Sequence, residues 1–153
     1  MIIIYTLGTS NRTEEEFLEI LKFYKIEAIA DVRRWPTSQR FPHFKKENLM
    51  KILSKNGISY YHFENLGGYR RENYESYMKT SEFKKALEKL INIAEKDLTC
   101  IICAEKFPWR CHRRFISKAL EDKGIEVLHI IEKNKIWKPK IALFLPKGGN
   151  EKD

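Results

Sequence analysis

"TCIICAEKFPWRCHRRFISKALEDKGIEVLHI" runs from Thr99 to Ile130. Its opening, Thr99 to Cys103, is a short apolar run of the kind that forms a strand covered on both faces. Arg113 to Lys123 carries apolar residues at helical spacing, and Gly124 follows where a helix end favours glycine. Glu126 to Ile131 is a second strand-like run. Strand, helix and strand in so short a span read as strands of a mostly parallel sheet joined by a right-handed helical crossover.

The same alternation extends upstream. Ile2 to Leu7 predicts a strand, and Thr13 with Glu16 predicts a capping box opening a helix that carries Phe17, Leu18, Leu21 and Tyr24. Ala28 to Val32 predicts a second strand, Lys46 to Lys55 a helix ending near Asn56-Gly57, and Ile58 to Phe63 a third strand. Leu66-Gly67-Gly68 reads as a loop and Ser81 to Lys96 as a long amphipathic helix. The fold class is therefore α/β: a single three-layer, Rossmann-like domain, with a mostly parallel sheet and helices on both faces. The expected domain covers residues 1–131. Residues 132–153 are an extension, with Ile141 to Leu145 as an edge strand and Pro146 to Asp153 as a frayed tail. Lys133 to Lys140, with Trp137 and Pro139, reads as a docked segment.

Composition narrows the class. A chain of 153 residues suits one domain with a core, and 42% apolar against 33% charged residues excludes a disordered chain. No apolar run approaches the roughly 20 residues that span a bilayer, and no membrane partner is expected. The Met1-Ile2-Ile3-Ile4 run is short and meets Gly8, so it reads as a strand rather than a signal peptide. Three cysteines, an odd number, do not make a disulfide scaffold; a reducing, cytoplasmic setting is expected. The net charge of +8 favours an anionic small molecule or nucleic acid as partner, although Lys and Glu are both abundant and place much of the charge on a solvated surface.

In open parallel sheets, ligands bind at the carboxyl ends of the strands. Those ends carry Gly8-Thr9-Ser10-Asn11-Arg12, Asp31 to Pro36, Glu64 to Arg71, and Cys103-Ala104-Glu105. All nine arginines (Arg12, Arg33, Arg34, Arg40, Arg70, Arg71, Arg110, Arg113, Arg114) fall just after a strand end or in the first turn of the next helix, while helix surfaces use Lys84, Lys85 and Lys89. Guanidinium forks grip carboxylates and phosphates, so this segregation predicts an anion site on one rim. Trp35, Phe41, Phe44, Tyr69, Tyr74, Phe107 and Trp109 share the rim, either to stack on a ligand or to pack beneath loops.

Cys100 and Cys103 form a C-x-x-C spacing, but along a strand their side chains face opposite ways, and Cys100 is assigned to the core. Cys103 stands at the strand's end; Cys111 stands at a helix start among cations, where a thiol ionises readily. His112 supplies a general base and Glu105 a carboxylate. Several readings stay open. A single-anion loop of cysteine, five residues and arginine misses by one, since Arg110 is one position late after Cys103. A metal site from Cys103, Cys111 and His112 with His43 or His62 lacks paired short spacings. A Cys103–Cys111 redox pair requires the loop to fold back, and buried cysteines with loop-bracing arginines is the plain structural reading. Asp31 either serves a ligand or pairs with Arg33 or an arginine of the Cys111 helix.

Thr6 to Ser10, Asp31-Val32-Arg33 through Pro36 and Ser38, Leu66-Gly67-Gly68, Tyr77-Met78, Phe83, Cys103-Ala104-Glu105, Cys111-His112-Arg113 and His129-Ile130 occur in the order seen in one family. Over about residues 3–131 the chain resembles the domain-of-unknown-function 488 family of bacterial and archaeal proteins. The resemblance implies a compact α/β domain and draws attention to Asp31, Arg33, Cys103, Glu105, Cys111, His112 and Arg113, but it implies no reaction. The family's first loop often reads Gly-His-Ser, where this chain has Gly8-Thr9-Ser10.

The expected site has Cys103 as the most reactive group, supported by Cys111, His112, Glu105 and Asp31. Ser10, Arg33, Ser38, Gly67, Gly68, Arg71 and Arg113 are the expected ligand-binding set, for a phosphate-bearing ligand, a nucleotide or a nucleic-acid end. No metal and no cofactor is assigned, and the sequence carries no signal for an oligomeric state. The alternative is a non-catalytic nucleic-acid-binding module with structural cysteines.

Overall fold

Ala28–Asp31 and Thr99–Cys103 are buried at every position, and this dictates a sheet sandwiched between helices. The computed structural model describes residues 2–68 and 73–138. The strands are β1 (Ile3–Gly8), β2 (Ala28–Asp31), β3 (Ser59–His62), β4 (Thr99–Cys103), β5 (Glu126–Glu132) and β6 (Lys135–Trp137). The helices are α1 (Glu14–Phe23), α2 (Lys46–Lys55), α3 (Tyr74–Tyr77), α4 (Ser81–Lys96) and α5 (Arg113–Glu121). Among the described residues they form one six-stranded sheet in the order β3-β2-β4-β1-β5-β6. All pairings are parallel except that of β5 with β6.

The two helical layers follow from strand alternation. Phe17 and Leu21 of α1 and Leu49 and Leu53 of α2 pack with Leu7, Ile29, Cys100 and Ile102 on one face. Phe83, Leu87 and Leu90 of α4 and Ile116 and Leu120 of α5 pack with Ile4, Ala30, Ile101 and Cys103 on the other. Cys100 and Cys103 thus lie on opposite faces, as their spacing along a strand requires. The Thr13–Glu16 capping box forms: Thr13 Oγ1 accepts from Glu16 N at 3.0 Å, and Glu16 Oε1 accepts from Thr13 N at 2.8 Å.

The segment after residue 132 differs from expectation. The chain turns at Lys133-Asn134 and returns as β6, antiparallel to β5, with Ile130 opposite Ile136. The turn has no glycine to mark it, and three residues are too few to show a period of two. Ile141 to Leu145 and the tail lie outside the described residues.

The sheet holds its strand ends tightly on one side of β4. Gly8 stands opposite Cys103, and the pairing continues past both strands, with Thr9 N donating to Cys103 O at 2.7 Å and Ser10 N to Ala104 O at 2.9 Å. A Cβ on Gly8 would overlap the Glu105 carbonyl. Gly8→Ala therefore forces two backbone segments apart, at a cost of about 1–3 kcal/mol or more. Thermal unfolding of this variant is expected roughly 5 °C or more below the wild type; an unchanged midpoint would show that the loops yield freely.

Candidate active site

The loop after β2 runs to α2 on one face, and the loop after β4 runs to α5 on the other. Adjacent strands whose chains leave in opposite directions open a crevice between their carboxyl ends. Here it is a pocket of about 620 Å³. Arg33, Arg34 and Trp35 form its β2 wall; Ala104, Glu105 and Arg110 form its β4 wall. Cys103, Cys111, His112 and Gly68 complete the lining.

The loop between the thiols is folded back on itself. Pro108–Arg110 forms a single 3₁₀ turn, closed by Arg110 N to Phe107 O and Cys111 N to Pro108 O. Phe107 and Trp109 stack at 5.0 Å. The turn returns the chain to β4, so Cys111 Sγ lies 2.9 Å from Cys103 Sγ. Both cysteines are free thiols.

The two sulfurs have unlike surroundings. Cys103 is 2% exposed, and burial raises its pKa, with its hydrogen bond to Cys111 adding to the rise. Cys111 is half-buried and faces the Cys103 thiol, His112 Nδ1 at 3.6 Å, and the Arg113 backbone N–H at 3.5 Å in the first turn of α5. Its pKa is lowered, first by the bond from Cys103 and then, against the opposing effect of burial, by His112 and Arg113. The two shifts run in opposite senses, so Cys111 is the sulfur that ionises first and Cys103 the one that holds its proton longer.

His112 is oriented for this contact. Its Nε2 lies 3.2 Å from the Val32 carbonyl, which only accepts, so Nε2 carries a proton. In the neutral ring Nδ1 is then the acceptor turned towards Cys111. The Tyr74 ring packs on the imidazole at 5.4 Å, and Tyr74 is itself stacked on Phe115. A Cβ on Gly68 would come 3.1 Å from Nδ1, so the Gly67-Gly68 loop needs its small residue to close over the histidine.

Beneath the sulfurs lies Arg113, at 0% exposure. Its Nη1 donates to Thr6 Oγ1 at 3.0 Å, and Nη2 to the Glu105 and Lys106 carbonyls at 2.7 and 3.1 Å. Among the described residues it has no carboxylate partner, and its buried Nε has no hydrogen-bond acceptor. A buried cation needs a counter-charge. The Arg113 charge lowers the pKa of Cys111 and opposes the rise at Cys103, so it favours ionisation in the thiol pair. Thr6 Oγ1 accepts from Arg113 and also lies within hydrogen-bond reach of His129 Nδ1, 2.6 Å away. Burial, followed by the Arg113 charge, pushes the His129 pKa down to about 3 and keeps the ring neutral.

Thus Cys103, Glu105, Cys111, His112, Gly68 and Arg33 of the expected set meet at one pocket, with Arg113 directly below the sulfurs. The Arg33 guanidinium is largely engaged: Nε and Nη2 bind both oxygens of Asp31 at 2.9 and 2.8 Å, and Nη1 binds Phe44 O at 2.7 Å. Asp31 is fully buried, takes a further bond from Tyr60 OH, and is not among the residues lining the pocket. Its alternation along β2 turns it to the α1–α2 side. Ser10 and Ser38 also lie off the pocket: Ser10 bonds Asn11, and Ser38 caps Phe41 N. Gly67 packs against Arg34, and Arg71, like Tyr69, lies outside the described residues. Glu105 Oε2 accepts from Phe107 N at 3.2 Å and steadies the returning loop.

The arginine rim divides by burial. Arg12 braces Gly8 O, Ile131 O and Glu132, whereas Arg34 and Arg110 face the pocket. Phe44 is core, while Trp35 is 60% exposed on the pocket wall. His43 and His62 bind the carbonyls of Arg12 and Arg33. Among the described residues no group of three His, Cys, Asp or Glu side chains is placed to hold a metal ion. No described helix is long and apolar enough to cross a membrane. Thr6 and His129 enter the sequence reading only within the motifs of the resemblance and Tyr74 only as a rim aromatic; the contacts of Arg113 and His112 are what show their part in supporting the site.

Residues 13–120 match the family model described as Domain of unknown function DUF488. The search of curated proteins gave no match. The matched span contains both site cysteines, His112 and Arg113, and stops short of Gly8 and His129.

The neutral, buried His129 fixes the sign of a pH effect. Below its ordinary pKa of 6.5 the unfolded chain takes up a proton that the folded ring, with a pKa of about 3, refuses. Unfolding free energy should therefore fall as pH falls from 6.5 towards about 5, above the range where ordinary carboxylates titrate. The Cys111 thiolate adds a slope of the same sign. In denaturant titrations, His129→Gln should reduce the slope by an amount approaching about 1.4 kcal/mol per pH unit. An identical slope in the variant would contradict a buried neutral ring.

Proposed function

The chain belongs to the DUF488 family, a domain of unknown function, and because membership names no reaction we propose, from its site, that the β2–β4 pocket binds an anionic, phosphate-bearing ligand for chemistry at the Cys111 thiolate. The observation that carries this is Cys111 Sγ, held by Cys103, His112 and the start of α5 above an arginine that meets no carboxylate among the described residues. Sequence alone favours Cys103 as the reactive group; burial and hydrogen bonding favour Cys111, with Cys103 as its thiol partner.

The roles follow from position. His112 Nδ1 takes the Cys111 proton, and Val32 O holds the tautomer that makes this so. Arg34 and Arg110 attract the ligand's negative charge from opposite walls, and Trp35 offers a ring face to a nucleotide base. Arg33, locked by Asp31, shapes the wall, and Gly68 leaves room beside the imidazole. Thiols kept reduced suit a cytoplasmic protein.

Alkylation followed by mass spectrometry tests the reading. Cys111 should label with a half-maximal rate well below the ordinary thiol pKa of about 8.5, and His112→Ala should move that point upwards. Phosphate or a nucleoside monophosphate should slow the labelling. Arg34→Ala and Arg110→Ala should each weaken that protection roughly tenfold, as loss of one charge-assisted hydrogen bond implies. Labelling that follows an ordinary thiol and ignores anions would overturn the proposal. The rival, a nucleic-acid module with structural cysteines, would then show as oligonucleotide binding that weakens steeply with salt.

A further inference from the structure

The Cys111 environment explains a nucleophile, but a second thiol at 2.9 Å goes beyond that need. A thiolate that attacks carbon or phosphorus requires a base and an anion site; His112, Arg34 and Arg110 already stand there. A neighbouring thiol finds work when Cys111 Sγ itself becomes electrophilic, and that happens when it is bonded to another sulfur. We propose that Cys111 and Cys103 form a thiol–disulfide exchange couple whose substrate is a small disulfide carrying an anionic group. This rests on the anion-pocket reading above and specifies its substrate class.

The geometry assigns each sulfur its part. Cys111 is half-buried on the pocket wall and meets the substrate; Cys103, 2% exposed behind it, is shielded from attack. Bringing the sulfurs from 2.9 Å to the roughly 2 Å of a disulfide needs a shift of about 1 Å. Cys100 points to the opposite face of the sheet, so Cys103 is the partner in reach. Arg34 and Arg110 line the same pocket and select the negative group.

The exchange balances as written. The Cys111 thiolate attacks one sulfur of R–S–S–R′, the S–S bond breaks, and R′S⁻ leaves. Cys111 is then uncharged, and Arg113 turns its stabilisation to the thiolate form of Cys103. The Cys103 sulfur attacks Cys111 Sγ; RS⁻ departs and takes the Cys103 proton. One dithiol, singly ionised, and one disulfide become an internal disulfide, RSH and R′S⁻. Two electrons pass from the protein to the substrate, and a second, thiol-class reductant returns them by the same steps in reverse.

Glutathione disulfide, which is anionic, and cystamine, which is cationic, are suitable probes on the full chain, read by intact mass and by release of free thiol. With glutathione disulfide the wild type should lose two hydrogens and release two thiols per chain. Cys103→Ser and Cys103→Ala should each halt at one glutathionyl group on Cys111, and Cys111→Ser should do neither. Cystamine should react at least tenfold more slowly, and Arg34→Ala with Arg110→Ala should narrow that gap. A wild type that stalls as the mixed disulfide, or that forms the internal bond with hydrogen peroxide while ignoring both disulfides, overturns the couple. If Cys111 still alkylates at low pH and is protected by phosphate in that case, the anion-site reading survives alone; an inert Cys111 ends both.

Discussion

One buried positive charge organises the carboxyl end of this sheet. Arg113 is wholly enclosed, yet its donors reach two separate segments: Thr6 on β1, and the Glu105 and Lys106 carbonyls of the loop leaving β4. Carbonyl and hydroxyl oxygens solvate a guanidinium but do not neutralise it. Its charge instead favours ionisation in the thiol pair above it, lowering the pKa of Cys111. Position and ionisation are therefore a single problem, since the contacts that hold the loop also set the state of Cys111.

This constraint explains which crevice is open. Between β1 and β4 the backbones stay hydrogen-bonded beyond the strand ends, with Gly8 pressed against the Glu105 carbonyl that Arg113 also grips. That side is sealed. Between β2 and β4 the chains leave to opposite faces, and Arg33 is drawn back by Asp31 and Phe44 O rather than reaching across. The pocket is the gap that remains, and its walls inherit Arg34, Trp35 and Arg110.

Much of this was legible from residues alone, because apolar runs and capping residues act locally. α2, α4 and β4 run over the residues their spacing predicts, and Thr13 with Glu16 closes the expected box. β6 was not legible, since three residues flanked by Lys133-Asn134 draw their order from pairing with β5. The arginine segregation points to the end of the sheet where the β2–β4 pocket opens but does not sort its members. Sequence position makes Arg12, Arg33, Arg34 and Arg113 alike; burial and carbonyl contacts separate braces from pocket walls. Asp31 illustrates the same limit: its neighbour Arg33 is visible in the sequence, but the face of β2 that it occupies, beside Tyr60, appears only in the fold.

The thiol pair is the clearest case of a long-range feature hidden in a short segment. Counting from Cys103, Arg110 falls one residue too late for a loop that wraps a single anion. The extra residue belongs to a different geometry. Pro108 opens a 3₁₀ turn, Phe107 and Trp109 stack across it, and the chain reverses instead of wrapping. That reversal delivers Cys111 to Cys103 and to the start of α5 together, where the Arg113 backbone N–H and its side chain act on the same sulfurs from two directions. A loop one residue shorter would aim arginine at a ligand; this one aims cysteine at cysteine, and leaves the charges of the pocket to Arg34 and Arg110.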